Sequence, residues 1–231
     1  SIELPFLEAV GAPTPVETRA VVGSTAKLND AVGSRDPRVV ATSAVCAWLG
    51  RVAGRASFDV AWCDARLRGD VAGLERWISP RVPARFAVEP TRGFRDLVAA
   101  VERELAWLDK RRSFLHDVAG RDPSLSTVAS VANGFQLPVA IEHVATRDVA
   151  VERASGGVTF VVGTDGACEL LYDASRLSPE VFAALRDSFE AFTRALAESP
   201  DAAITSVTLV GGEQRTLLTG GFDAKIGRAH V

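Results

Sequence analysis

The side chains that could do acid–base, nucleophilic or metal chemistry are few and widely spaced. The histidines are His116, His143 and His230, and the cysteines are Cys46, Cys63 and Cys168. No CxxC pair occurs, and no histidine lies near a cysteine in the sequence. This spacing disfavours a zinc site and favours buried, reduced thiols.

Neither histidine in the body of the chain has an obvious catalytic partner. His116 precedes Asp117, but neighbouring side chains on a helix point in different directions, so this pair is a poor base and orienting carboxylate. His143 lies in a predicted strand with Asp148 five residues later, and a surface or half-buried strand histidine is expected there. Walker, GxGxxG, GxSxG and HExxH motifs are absent from the sequence. We therefore predict no catalytic residue, no directly bound cofactor and no metal site.

Composition indicates a globular protein. Of 231 residues, 47% are apolar and 24% are charged, which is close to the soluble average and enough for one large domain with a real core. The net charge of −3 weighs against nucleic acid as a partner. No apolar run approaches the ~20 residues of a membrane span, and no signal peptide is visible. A cytoplasmic protein without membrane or nucleic-acid partners is expected.

Three segments carry helix signals. Residues 38–53 are apolar or small almost throughout, which predicts a helix buried on most faces and ended by Gly54. Residues 93–108 have apolar positions at three- and four-residue steps, and the rest of that helix is charged. The sequence Ser178-Pro179-Glu180 combines a capping serine, a first-turn proline and a glutamate near the helix dipole, so it predicts a third helix start.

Strand signals alternate with the helices. Strands are predicted at residues 18–22, 57–63, 82–88, 139–144, 158–162 and 168–172, and a short extended piece at 204–210. Asp165-Gly166 predicts a hairpin between the last two strands, whereas Pro80 and Pro83 confine the strand at 82–88 to a sheet edge or an irregular position. Ser24 is the predicted cap of a short helix to residue 32. The predicted fold class is α/β (α+β), with a mixed sheet flanked by helices in one domain.

Several of these segments, in this order, resemble the C-terminal lobe of a condensation domain from a nonribosomal peptide synthetase. The resemblance covers about residues 4–218, and its clearest part is a gapless match of residues 73–86, GLERWISPRVPARF, to the family's "GLVGFFVNTLPLRV". The identical positions in that match are Gly73, Leu74, Pro83 and Arg85. Residues 38–63 are likewise similar to the family's "LLAAFALLLARLTGQDDVVVG".

The sequence also departs from the family pattern. Pro80 replaces the asparagine of "VNT", and Ser113 replaces the proline of "PF", so the chain is identified as a divergent member. The family's catalytic motif, His-His-x-x-x-Asp-Gly, belongs to the N-terminal lobe and is absent from this sequence. His143 is not a remnant of it, because Asp148 is one position too far and Val149 is not glycine.

The resemblance implies one lobe of a chloramphenicol-acetyltransferase-like fold. Two such lobes form a V with a tunnel between them, and peptidyl carrier proteins deliver donor and acceptor on phosphopantetheine arms. The implied partners are the missing N-terminal lobe, the two carrier proteins and a following adenylation domain. The candidate tunnel-floor residues are Trp77, Ser79, Pro80, Arg81 and Arg85. Among them, Arg85 is favoured as a structural ion-pair partner over a catalyst.

The ends of the sequence suggest truncation. No methionine is present, and residues 225–231, KIGRAHV, match the translation of a common short-read sequencing adapter. We expect residues 1–17 to be an extended inter-lobe segment, 18–210 the lobe, 211–224 a linker, and 225–231 a non-native tail that packs on nothing.

Three functions remain open on the sequence alone. The chain can be half of an amide-forming acyltransferase domain, a catalytically inactive condensation-like module that recruits a partner, or a stand-alone acyltransferase of the same fold. An intact histidine motif upstream would indicate the first, and a degraded one the second. A stop codon in place of a following adenylation domain would indicate the third. In each case, this chain alone is expected to lack condensation activity.

Overall fold

A computed structural model describes residues 2, 4–7, 15–110, 137–154 and 156–209. The elements in chain order are β1 (Glu17–Ser24), α1 (Ala26–Ala31), α2 (Pro37–Val52), β2 (Ser57–Cys63), α3 (Ala65–Asp70), β3 (Val82–Ala87), α4 (Phe94–Asp109), β4 (Val139–His143), β5 (Val158–Val162), β6 (Ala167–Asp173) and α5 (Pro179–Glu198), followed by a 3-10 turn at Ile204–Ser206.

Several sequence predictions concern residues outside this description. They are the roles of His116 and Ser113, the linker at 211–224 and the tail at 225–231.

The strands of the described residues form one mixed sheet in the order β1-β6-β5-β4-β2-β3. Strand β4 is parallel to both of its neighbours, β2 and β5, whereas the other pairs are antiparallel. The predicted α/β class with a mixed sheet is therefore confirmed. The predicted hairpin is also confirmed, since β5 pairs with β6 from Thr159 opposite Leu171 to Val162 opposite Cys168. Strand β3 lies at the sheet edge, as its prolines predicted.

Helix α2 forms the centre of the core. Pro37 occupies its first turn and the Asp36 carboxylate accepts a hydrogen bond from the Arg38 N–H at 2.9 Å, which satisfies one of the free donors at the helix start. Every residue from Val39 to Gly50 is buried. Trp48 packs edge-on against Phe160 of β5 and Phe189 of α5, with ring centroids 6.3 and 6.0 Å apart. Helix α2 thus joins the sheet to α5.

Two local predictions were wrong. Thr25, not Ser24, directly precedes helix α1, and its hydroxyl donates to the Gly166 carbonyl at 3.0 Å. The Ser24 hydroxyl nevertheless accepts the Ala26 N–H at 3.3 Å, so only the cap position was wrong. The segment from residue 204 was predicted to be extended, but Ile204–Ser206 is a 3-10 turn. The Ile204 and Thr205 N–H groups donate to the carbonyls of Arg92 and Pro90, each at 3.0 Å, so they are unavailable to a sheet ladder.

None of the helices in the described ranges is both long enough and apolar enough to cross a membrane.

We expect Gly157→Ala to destabilise the chain strongly. An added Cβ would lie 1.6 Å from the Pro138 carbonyl oxygen, which itself accepts the Val158 N–H at 2.9 Å. The backbones of two paired strands would have to separate, at a cost of at least about 2 kcal/mol. Urea unfolding followed by circular dichroism measures this loss.

Gly69→Ala is the matched control. This glycine lies within α3, and nothing stands within 4 Å of an added Cβ. Its replacement should leave the free energy of unfolding unchanged or raise it by up to about 1 kcal/mol. Equal unfolding midpoints for the two variants would contradict the close approach at Gly157.

Candidate functional site

The parallel strands define one edge of the sheet as the candidate site. Strands β2, β4 and β5 run in the same direction, so their carboxyl ends, at Cys63, His143 and Val162, meet at the same edge. Cys63 lies opposite Glu142, and His143 lies opposite Val162. In open α/β sheets, ligands bind in the crevice outside such carboxyl ends.

The segment predicted as tunnel floor approaches this edge through β3. Val82, the first residue of β3, lies opposite Trp62 near the end of β2. The Ser79 hydroxyl donates to the Arg81 carbonyl at 2.7 Å and accepts from the Arg81 N–H at 3.2 Å. This closes a turn around Pro80 next to the carboxyl end of β2. We call residues 79–81 the floor turn.

The remaining predicted floor residues lie further from the floor turn or face solvent. Trp77 is 59% exposed. Arg85 lies three positions beyond Val82 on β3, or about 10 Å along the strand, and its guanidinium pairs with Asp59 (Nε–Oδ1 2.7 Å, Nη2–Oδ2 3.0 Å). The Arg85 guanidinium holds the pKa of the Asp59 carboxyl below its ordinary value. The structure thus brings Ser79, Pro80 and Arg81 together but places Arg85 apart from them.

Glu142 is the central charge of this edge, and sequence analysis missed it. Its side chain is 4% exposed. Arg68 of α3 donates from Nη2 to Oε2 at 2.5 Å, and Arg81 of the floor turn donates from Nε to Oε1 at 2.7 Å. We call these three residues the arginine clamp. A glutamate in a strand buried at every position was the available signal, because a buried carboxylate needs a partner.

The same arginines also bind the backbone of the β4–β5 loop, residues 144–157. Arg68 Nη1 donates to the Ala150 carbonyl at 2.8 Å, and Arg81 Nη2 donates to the Glu152 carbonyl. From the other side, Arg19 Nη1 of β1 donates to the Val149 carbonyl at 3.1 Å. The arginine clamp therefore connects the floor turn, α3 and the loop to one carboxylate.

His143 points to the opposite face of β4 from Glu142, towards α2. Its Nε2 lies 2.7 Å from the Thr42 hydroxyl, and its ring packs edge-on against Trp62, with centroids 5.8 Å apart. It is buried, so the expectation of a surface or half-buried histidine was wrong. Burial, reinforced by the nearby Arg38 charge and opposed by Asp36, lowers the pKa of His143 to about 4. The ring is therefore neutral at pH 7.

The three cysteines are free and buried. Burial raises the pKa of Cys63 and of Cys168 to about 12, and the pKa of Cys46 higher still. Within the described ranges, no group of three or more His, Cys, Asp or Glu side chains could hold a metal ion. The described part of this edge therefore presents charged side chains that ion pairs and hydrogen bonds hold in place.

Comparison with known proteins identifies the fold. No protein-family model and no curated protein matches the sequence. Among solved structures, the starter condensation domain of rhizomide synthetase matches 91% of this chain with a TM-score of 0.60 and 18% identity, over 52% of its own chain. The first condensation domain of the calcium-dependent antibiotic synthetase matches 88% of this chain (TM-score 0.53, 18% identity), over 49% of its own.

A third solved structure, the X-domain from teicoplanin biosynthesis, matches 90% of this chain with a TM-score of 0.53 and 16% identity, over 53% of its own chain. These similarities show that the chain has the α/β fold of condensation domains from nonribosomal peptide synthetases, as the resemblance implied. The chain spans about half the length of these solved domains.

The buried His143 predicts a loss of stability in mild acid. In the unfolded chain its pKa returns to about 6.5, so the unfolded state binds the proton first as the pH falls. The free energy of unfolding should therefore decrease between pH 6.5 and pH 4, by about 1.5 kcal/mol down to pH 5. Urea titrations at several pH values measure this slope.

His143→Gln is the control, because glutamine can still hydrogen-bond to Thr42 but cannot take up the proton. Its unfolding free energy should fall less steeply than that of the unaltered chain from pH 6.5 to pH 5. Parallel pH profiles of the two chains would mean that His143 has the same pKa in the folded and the unfolded state, which would contradict the prediction.

Proposed function

We propose that this chain is the C-terminal half of a condensation domain that forms an amide bond between two carrier-bound substrates. The amine nitrogen attacks the carbonyl carbon of an acyl or peptidyl thioester. The C–N bond forms, the C–S bond breaks, and the thiolate that leaves gains the proton lost by the amine, so that an amide and a free thiol are the products. The observation that carries the proposal is the coverage: about nine-tenths of this chain matches about half of a condensation domain.

The side chains at the candidate site indicate which roles each half of the proposed domain would have. His143 is buried, neutral and hydrogen-bonded to a hydroxyl, which makes it a poor general base at neutral pH. The histidine that assists the amine would therefore come from the preceding half of the domain, as the sequence resemblance implies. This half would supply a tunnel wall and floor that hold the reacting groups in one orientation.

The proposed partners are the N-terminal half, a donor and an acceptor carrier protein, and an adjoining adenylation domain. The phosphopantetheine arms would be bound to the carriers and enter the tunnel between the halves. A four-domain nonribosomal peptide synthetase bound to AMP and glycine contains a region similar to 93% of this chain (TM-score 0.60, 9% identity). A domain with this fold can therefore sit within a multidomain synthetase.

The first test compares this chain alone with the two-lobed domain obtained by extending it upstream. We expect amide product from carrier-bound donor and acceptor with the two-lobed domain, and none with the chain alone, because the chain lacks the histidine motif. Mass spectrometry of the acceptor carrier protein measures the product.

Two results would contradict the proposal. Product made by this chain alone, and lost in His116→Ala, would place the active site within the chain. Absence of product from the two-lobed domain would favour a non-catalytic role. The alternative would then be a module that recruits a partner protein. A solved complex of the teicoplanin X-domain with OxyB favours that alternative, since the X-domain matches 91% of this chain (TM-score 0.54, 16% identity).

A further inference from the structure

We propose that Glu142 is a positioning residue for the condensation reaction, acting through Arg81 to fix the floor turn. The inference rests on the proposed function. Glu142 need not contact the substrate to have this effect. The arginine clamp would then contribute to turnover as well as to folding.

The Glu142 carboxylate is bound through both of its oxygens. Oε2 binds the Arg68 guanidinium at 2.5 Å and Oε1 binds that of Arg81 at 2.7 Å. Glu142 lies on β4, at the centre of the sheet, so its backbone is fixed on both sides. Because the carboxylate is buried, its interactions with the two cations are weakly screened. The clamp therefore ties α3 and the floor turn to a buried strand at the centre of the sheet.

Arg81 contacts both the floor turn and the β4–β5 loop. Its backbone N–H and carbonyl are both bound by the Ser79 hydroxyl, so an anchored Arg81 also fixes Pro80 between them. The same guanidinium donates to the Glu152 carbonyl. One side chain thus sets the relative position of the floor turn and the β4–β5 loop.

Arg81 distinguishes this sequence from the quoted family stretch. In the gapless match of residues 73–86, Pro80 stands where the quoted family stretch has asparagine, and Arg81 stands where it has threonine. Threonine is too short to span a carboxylate on β4 and a carbonyl of the loop together. The ion pair therefore gives this floor turn an anchor that the quoted stretch could not provide.

Glutamine at position 142 would preserve the shape and remove the charge. Two guanidinium groups would then share a neutral amide, so both Arg68 and Arg81 would lose their charged partner in a partly buried site. Lysine at position 81 would preserve the charge but could not bind Glu142 and the Glu152 carbonyl in the same fork geometry. Both changes should loosen the floor turn without removing its backbone.

The catalytic test uses the two-lobed domain. For Glu142→Gln, we expect kcat to fall about tenfold and KM to change less than about threefold. A misplaced floor turn would disturb the orientation of the reacting groups more than the binding of the substrates. If Glu142→Gln folds poorly, Arg81→Lys is the variant to use instead. It should likewise lower kcat much more than it changes KM. The double variant Glu142→Gln/Arg81→Gln should be no slower than Arg81→Gln alone, because both changes break the same contact.

The second test needs no activity and uses this chain. Arg147 in the β4–β5 loop has a side chain that is 60% exposed, so trypsin can cut after it when the loop opens. We expect this cleavage to be about tenfold faster in Glu142→Gln, in proportion to the population of the opened loop. Mass spectrometry identifies the fragment that starts at Asp148.

Asp59→Asn is the matched control in both tests. It makes the same carboxylate-to-amide change in another arginine pair, but at the far end of β2, where Arg85 is exposed. It should leave kcat and cleavage after Arg147 unchanged.

The two tests distinguish failure of the proposed function from failure of the positioning role. Absence of product from the unaltered two-lobed domain overturns the proposed function and the catalytic part of this inference. If the unaltered domain is active, a Glu142→Gln variant with normal kcat overturns the positioning role, even if its melting temperature is lower. Unchanged cleavage after Arg147 shows that the clamp does not hold the loop.

Discussion

Strand β4 runs parallel to both of its neighbours, and most of the described site depends on that pairing. A strand parallel to strands on both sides is buried on both faces, and every residue of β4 is buried. Glu142 and His143 are adjacent in this strand and point to opposite faces, so each must find a partner inside the protein. Helix α2 supplies Thr42 on one face. Arginines from α3 and the floor turn meet the carboxylate on the other.

The elements that were predictable from the sequence are those whose signals are local. Helix α2 follows from an almost unbroken run of small and apolar residues, and the β5–β6 hairpin follows from Asp165-Gly166 between two alternating segments. The turn at Ile204 was not predictable in this way, because its backbone bonds to residues 90–92, more than a hundred positions earlier.

The site was less predictable for the same reason. Glu142 is 61 positions from Arg81 and 74 from Arg68, and Thr42 is 101 positions from His143. Such contacts leave no periodicity in a sequence. The resemblance predicted a floor segment and favoured an ion-pair role for Arg85, but it did not name the partner, which is Asp59.

The state of the cysteines has a consequence for chemistry with activated acyl groups. A thioester exchanges its acyl group with any accessible thiolate, and a chain that works beside thioesters would risk acylating itself. Burial raises the pKa of Cys63 and of Cys168 to about 12, so both are protonated at pH 7. All three sulfur-bearing side chains are also buried. If the chain works beside thioesters, as proposed, its own buried thiols would not intercept the acyl group.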